Sequence, residues 1–303
     1  MARAPASEQP FARYGGQAVL EGVMIRGPAG LAVAVRAPDG RIVCRAVPLA
    51  PRRGWRRWPL LRGVVALWET LRWGIEALWF AAAVAAGEPA ERPEGWGAWL
   101  LVLFPLALGI ALFIVLPAAL AEVMARFLGW PPGARSALEG LLRLGLVIGY
   151  LGAIGRRPEV RRVFAYHGAE HKVVHALEAG APLTVAGARP FPTAHPRCGT
   201  AFLLTVILIA IVLFAFLPGL PLLARVAVRM ALLPALAALA YEFLLFSARF
   251  ASVRPVAWLS APNLWLQRLT TREPDEGMLE VALAALEAAR ALEDPHAPSA
   301  GHR

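Results

Sequence analysis

The sequence predicts a mainly α, polytopic helical membrane protein with about four transmembrane helices and a small N-terminal β-hairpin. Three observations carry that reading. The 303 residues are 58% hydrophobic and only 17% charged, with a mean hydropathy of +0.54, whereas soluble domains carry about 25% charge. Several uncharged runs are long enough to cross a hydrocarbon core. Strand-like alternation is confined to one region near the N-terminus. The formal charge of +10 is also a nucleic-acid signature. Beside such apolar runs it marks the anionic cytosolic face of a membrane instead, so no nucleic-acid partner is expected. The two cysteines, Cys44 and Cys198, make no disulfide framework and are expected as reduced thiols if both face the cytosol. No signal peptide is expected from the first 20 residues, and no internal repeat is visible.

Residues 1–59 read as a cytosolic segment. LAVAVRA and RIVCRAV flank Pro38-Asp39-Gly40, which predicts a hairpin from Leu31 to Val47. PRRGWRRWPLLRG (Pro51–Gly63) interleaves five arginines with two tryptophans. The pattern suits stacked single-stranded nucleic acid, but before an apolar helix it better suits a membrane surface. Residues 60–155 begin with an apolar helix over 60–86. It carries Arg62, Glu69, Arg72 and Glu76 at turn-like spacing, so it is expected at the interface or packed on other helices. Four spans follow. Glu94 and Glu122 bound 27 uncharged residues, and so do Arg197 and Arg225. Ala137–Gly155 and Met230–Phe250 complete the set, the last with Glu242 inside it. The spans divide the chain into a loop at 156–198, helices at 199–251 and a tail at 252–303.

Seven basic residues lie between Arg156 and Arg197, against two in each connection on the other side. The positive-inside rule then places this central loop and both termini in the cytosol. In the tail, Pro274 at the first helical position, with Asp275 and Glu276 on the dipole, predicts an amphipathic helix to Leu292. That helix is a candidate surface for a protein partner.

The loop opens as a helix that Pro158 starts, Gly180 caps and Pro182 prevents from continuing. Val160, Phe164, His167, His171, Val174 and Glu178 recur at steps of three and four, which puts the histidines on the apolar stripe. Buried imidazoles and carboxylates need partners. His167 and His171 are one turn apart and can reach one ion. His175 continues the stripe, but it sits about 12 Å along the axis from His167, too far to share that ion. Glu170 projects roughly 60° to one side of His167, where it would act on water rather than ligate. The order His-x-x-Glu-His is that of the inverzincin signature, with two zinc ligands and a glutamate base.

HPRCG, His195 to Gly199, offers one nitrogen and one sulfur ligand on a turn. The loop thus reads His-x3-His, 23 residues, His-x2-Cys, an arrangement suited to a divalent metal, zinc above all. The bland alternative is that His195 bonds backbone and Cys198 is a small buried thiol. If metal binds, His167, His171, His195 and Cys198 together would close a structural site. Three ligands with Glu170 as base would make a catalytic one. Glu178 and His175 would hold a second ion or support the first. Lys172 points about 100° from His171, toward substrate, lipid phosphate or plain solvent. Glu242 is either a distant third ligand or a snorkelling acid near Arg249.

YGGQAVLEGVMIRGP (Tyr14–Pro28), YHGAEHK (Tyr166–Lys172), HPRCGTAF and PNLWLQRLTTREP (Pro262–Pro274) resemble the YqhQ family of bacterial membrane proteins. The blocks match in order over nearly the whole chain. The resemblance implies a multi-pass protein of the bacterial cytoplasmic membrane and a metal-dependent enzyme whose reaction it does not supply. It carries over Glu21, His167, Glu170, His171, Lys172, Glu178, His195 and Cys198, and leaves His175 outside the pattern. Glu21 is implied as a ligand, a partner of the histidine helix, or an exposed strand-end acid. The expected function is therefore a cytosol-facing, zinc-dependent, hydrolase-like activity close to membrane lipids on an unidentified substrate. A non-enzymatic scaffold stapled by a structural metal is the other reading.

Overall fold

Strand-period alternation near the N-terminus runs further than a single hairpin. The computed structural model describes residues 14–50, 54, 58–88, 96–196, 198–216, 220–250 and 253–293. Much of the Arg/Trp stretch (51–53 and 55–57), the span boundaries Glu94 and Arg197, and the chain's two ends lie outside these residues. Strands β1 (Gly15–Val19), β2 (Gly22–Arg26), β3 (Gly30–Arg36) and β4 (Ile42–Pro48) form one antiparallel sheet in sequential order. The predicted hairpin is its second half, with Leu31 opposite Val47 and Ala34 opposite Cys44. β1 and β2 turn over Leu20-Glu21, and Glu21 takes the left-handed conformation at φ 51°.

The sheet is covered on both faces, which explains why its inner strands read as nearly continuous apolar runs. Alternation splits β2 and β3 into two sets. Val23, Ile25, Ala32 and Ala34 face helices α5 (Pro158–Glu178) and α10 (Glu276–Ala291). Met24, Leu31, Val33 and Val35 face Ala77, Phe80, Ala81 and Val84 of α1 (Leu61–Ala86). The amphipathic tail helix is present, with Asp275 rather than a proline at its start: the aspartate side chain accepts from Met278 N–H at 2.8 Å. Its apolar face packs into the chain's own core through Leu279, Ala282 and Leu286.

Among the described residues, three helices are long and apolar enough to cross a membrane: Trp99–Leu128, Pro132–Ile154 and Leu222–Arg249. The first is a continuous rod of α2 (Trp96–Ile110), a π-helical turn (Ala111–Val115) and α3 (Leu116–Leu128). The others are α4 (Pro132–Ile154) and α8 (Leu222–Arg249). The expected third span is α7 (Gly199–Ala215), 17 residues or about 25 Å. The π turn has a local cause. Pro117 has no N–H to offer the Phe113 carbonyl four residues back, the helix widens, and Arg143 Nε donates to that carbonyl at 2.8 Å instead.

Two expected span boundaries move for one reason. The first span runs past Glu122 to Leu128, and α8 starts at Leu222 rather than Met230. Ion pairs allow it: Glu122 accepts from Arg126, Arg135 and Arg225, so charged residues stay inside helices. Glu242 is neither a metal ligand nor a partner of Arg249. It takes two bonds from Arg62, at 2.7 and 2.5 Å, and one from Leu60 N–H, which fixes α1 against α8.

The remaining chain closes over α5. Short α6 (Val185–Ala188) begins on Thr184, whose side chain accepts from Gly187 N–H. Helix α9 (Arg254–Thr270) leads into residues 271–275, which run against α5: Arg272 N–H donates to Phe164 O at 2.9 Å. That approach demands a glycine, because a Cβ on Gly168 would lie 2.1 Å from Arg272 O. Gly168→Ala is therefore expected to destabilise the protein by at least about 1–3 kcal/mol, read as a fall in Tm in detergent. Gly145→Ala, whose Cβ meets open space, should stay within about 0.5 kcal/mol of wild type.

Candidate metal centre

Helix α5 is buried from Ala165 through Val174 without a break. Ala165, Tyr166, Ala169, Val173, Ala176 and Leu177 pack into the sheet and α10. The histidines do not share that apolar face, as the stripe implied. They occupy a second buried side, covered by residues 189–196, Cys198 and the end of α9. A helix with two buried sides has no wet face to which the polar residues can be assigned.

Main-chain carbonyls fix the rings. His167 Nδ1 donates to Thr270 O at 2.9 Å, and His171 Nδ1 donates to Thr193 O at 2.5 Å. A carbonyl only accepts, so each Nδ1 carries the proton and each Nε2 presents a lone pair. His167 Nε2 lies 3.1 Å from Cys198 Sγ, and His171 Nε2 is buried with no hydrogen-bond partner. One ligand atom each from His167, His171 and Cys198 fall within 4.8 Å of one another. Tetrahedral zinc with these donor types has ligand separations of roughly 3.3–3.8 Å. The three residues fit such an ion, and a neutral thiol brings only one proton to a site where two lone pairs converge.

His195 does not complete this set. It groups with His175 and Glu178, again with one ligand atom from each inside 4.8 Å, its Nε2 3.4 Å from a Glu178 carboxylate oxygen. The cause is Gln267, fully buried on α9. Its amide clamps the His195 peptide from both sides, accepting from the N–H at 2.8 Å and donating to the C=O at 3.0 Å. Cys198 N–H closes the following turn on His195 O at 3.2 Å, so the sulfur faces His167 while the imidazole faces His175. His175, set aside by the resemblance, returns as a candidate ligand; its Nε2 donates to Ala194 O at 2.9 Å, leaving Nδ1 unprotonated.

Glu170 lies between the two groups. It is buried, with one carboxylate oxygen 3.4 Å from His171 Nε2. Burial raises its pKa, against the pull of His167, His195 and the Gly16 N–H. Gly16 leaves it room, since a Cβ there would lie 3.1 Å from Glu170 Cγ. Burial likewise holds the His171 and His195 imidazoles below the ordinary histidine pKa, offset in His171 by Cys198 and in His195 by Glu170.

Two further residues take places of their own. Glu21 meets the histidine helix but belongs to neither ligand group: it accepts from Arg162 at 2.6 and 2.5 Å and from Tyr166 OH at 3.3 Å. The Arg162 guanidinium holds its carboxyl below the usual range. Lys172 points away from His171 as expected, yet toward neither solvent nor lipid. It is buried, donates to Arg189 O at 2.7 Å and pairs with Glu273 at 2.5 Å. Gln267 and the carbonyls of Thr193, Ala194 and Thr270 escaped the sequence reading. A carbonyl has no sequence identity, and Gln267 could be suspected only from the quoted block that contains it.

Residues 58–292 match the family described as "Protein of unknown function (DUF1385)". A Bacillus subtilis (strain 168) protein bearing the name "Uncharacterized protein YqhQ" is 33% identical over 286 residues, 89% of this chain and 90% of that protein. No solved structure matches. A family match over most of the length and an identity at this level, nearly end to end, agree: the chain belongs to the DUF1385 family, with YqhQ as a relative.

Proposed function

We propose that the protein is a membrane-embedded, metal-dependent enzyme of hydrolase type, with zinc held by His167, His171 and Cys198. The observation that carries the reading is the diversion of His195 to His175 and Glu178. It leaves the buried set with three protein ligands and an open position beside Glu170, the pattern of catalytic rather than closed structural zinc. A zinc ion there would supply Lewis acidity and ease the deprotonation of water. The chain's own part is proton handling and positioning. Glu170, buried and raised in pKa, is placed to take a proton and return it. The Thr193 and Thr270 carbonyls hold both imidazoles in the ligating tautomer. His175, Glu178 and His195 offer a nitrogen- and oxygen-donor set for a second, more open ion. Helix α4 ends only four residues before α5 begins, so a substrate would arrive along the bilayer surface, cytosolic by the distribution of basic residues.

Metal analysis of the purified protein tests this reading. Wild type should carry zinc, and His171→Ala and Cys198→Ala should lose the tightly held equivalent. Glu170→Gln should keep metal and Tm but fail to support growth or any other phenotype that depends on the gene, as loss of a general base costs about 10²–10⁴ in rate. A silent Glu170→Gln that keeps its metal would favour the scaffold with a structural ion. Wild type without metal would sink both.

Acidification offers a second measurement. Ligating imidazoles must be neutral. With folded pKa values below the free value of about 6.5, His171 and His195 gain protons only at lower pH. Zinc should therefore stay bound as pH falls through about 6.5 and be released below it. The apoprotein should lose stability over the same lower range, because the unfolded chain then binds more protons than the folded one.

A further inference from the structure

A second polar site lies deep among the membrane-crossing helices, away from the histidines. Arg135, Glu139 and Arg143 of α4 meet Glu122 of α3 and Arg225 and Arg229 of α8. Glu139 pairs with Arg143 and with Arg229, and Glu122 with Arg135 and Arg225. Among the described residues, four buried or nearly buried guanidiniums thus face two carboxylates, with the exposed Arg126 a further partner of Glu122, an excess of positive charge in a place where single charges are costly. The donors are not used up. Arg225 Nη1, Arg229 Nε and Arg135 Nε are buried without hydrogen-bond partners, against one such acceptor in the cluster, Glu139 Oε2, and Arg225 and Arg229 are 3% and 2% exposed. Arg229 also lies 4.8 Å over the Phe214 ring.

Two of these arginines, Arg143 and Arg229, reach the wall of a crevice of about 450 Å³, the size of an ordinary ligand pocket. Arg143 and Arg229 are its charged lining residues, and the walls are otherwise almost wholly apolar. On α7 the lining runs from Leu203 to Phe214, about 16 Å of helix, the shape of a slot rather than a pit. Leu106 of α2 both lines the slot and is 57% exposed, so the crevice opens on the face that α2 turns to lipid.

We propose that this crevice binds an anionic membrane amphiphile, its oxyanion head at Arg143 and Arg229 and its hydrocarbon chain along α2, α4, α7 and α8. The excess positive charge and the unused N–H groups call for an oxyanion. The apolar slot calls for a chain attached to it, which a free phosphate lacks. The site is independent of the metal reading, since it shares no residue with either ligand group.

The experiment is retention of lipid by the full-length protein in detergent, measured by native mass spectrometry after exchange into phosphatidylglycerol or phosphatidylcholine. Thermal stability with each lipid and with inorganic phosphate is read in parallel. Wild type should hold phosphatidylglycerol about tenfold more strongly than phosphatidylcholine, and inorganic phosphate alone should not stabilise it. Arg229→Gln paired with Glu139→Gln removes a buried pair together and should abolish the preference. Gly109→Phe tests the slot without touching a charge: Gly109 lines it, and a Cβ there meets nothing within 4 Å. A folded Gly109→Phe protein should retain little of either lipid. Equal retention of the two lipids by wild type would overturn the proposal. So would stabilisation by phosphate equal to that by phosphatidylglycerol, or a folded Gly109→Phe protein that retains lipid like wild type.

Discussion

Burial of α5 on two sides is the constraint from which the rest of the site follows. Ten consecutive residues without solvent leave His167, Glu170, His171 and Lys172 no water to bond, and each unsatisfied group would cost about 1–3 kcal/mol. The chain answers with main-chain carbonyls: Thr270 for His167, Thr193 for His171 and Arg189 for Lys172. These carbonyls fix which nitrogen is protonated. The ligating geometry is in that sense a by-product of satisfying buried donors, and the elements that supply the carbonyls are as much part of the site as the histidines. The close passage of residues 271–275 over Gly168 is what brings the Thr270 end of α9 within reach.

Gln267 shows how one buried amide decides chemistry at a distance. Holding the His195 peptide at both its N–H and its C=O sets the orientation of the turn that follows. With that turn fixed, Cys198 and His195 project into different candidate ligand groups although only two residues separate them. Without the clamp, His-x-x-Cys would be free to close a four-ligand site. In the proposed metal centre, the difference between an open and a closed ligand set therefore rests on a side chain that belongs to neither candidate group.

Much of this was legible in the sequence, where local pattern and composition carry the information. The β3–β4 hairpin, the bounds of α5 and the apolar helices follow from alternation, proline and glycine placement, and uncharged length. The His-x3-His pair was visible for the same reason, as helical spacing alone brings two rings together. The limits of pattern show in particular residues. A period of 3.6 places His167 among apolar neighbours but cannot reveal that α5 has two buried sides. Glu242 reads as an orphan acid until α1 brings Arg62 beside it. Lys172 reads as a substrate or lipid contact, or a surface lysine, until Glu273, a hundred residues on, arrives to pair with it. Long-range pairing of charges is set by packing, and no local window contains it.

The same packing brings both sites against one helix. Helix α7 begins at Gly199, directly after Cys198, and carries the crevice lining from Leu203 to Phe214, where the ring lies under Arg229. A displacement of α7 along its axis would move the Cys198 sulfur and a wall of the crevice together. Gly140 sharpens the point, since a Cβ there would lie 2.5 Å from Ile211 on α7: α4 and α7 touch with no spare room. Tight contact of this kind transmits small shifts instead of absorbing them. An occupant of the slot would thus bear on the position of Cys198 through a single rigid element, a coupling that requires no further moving part.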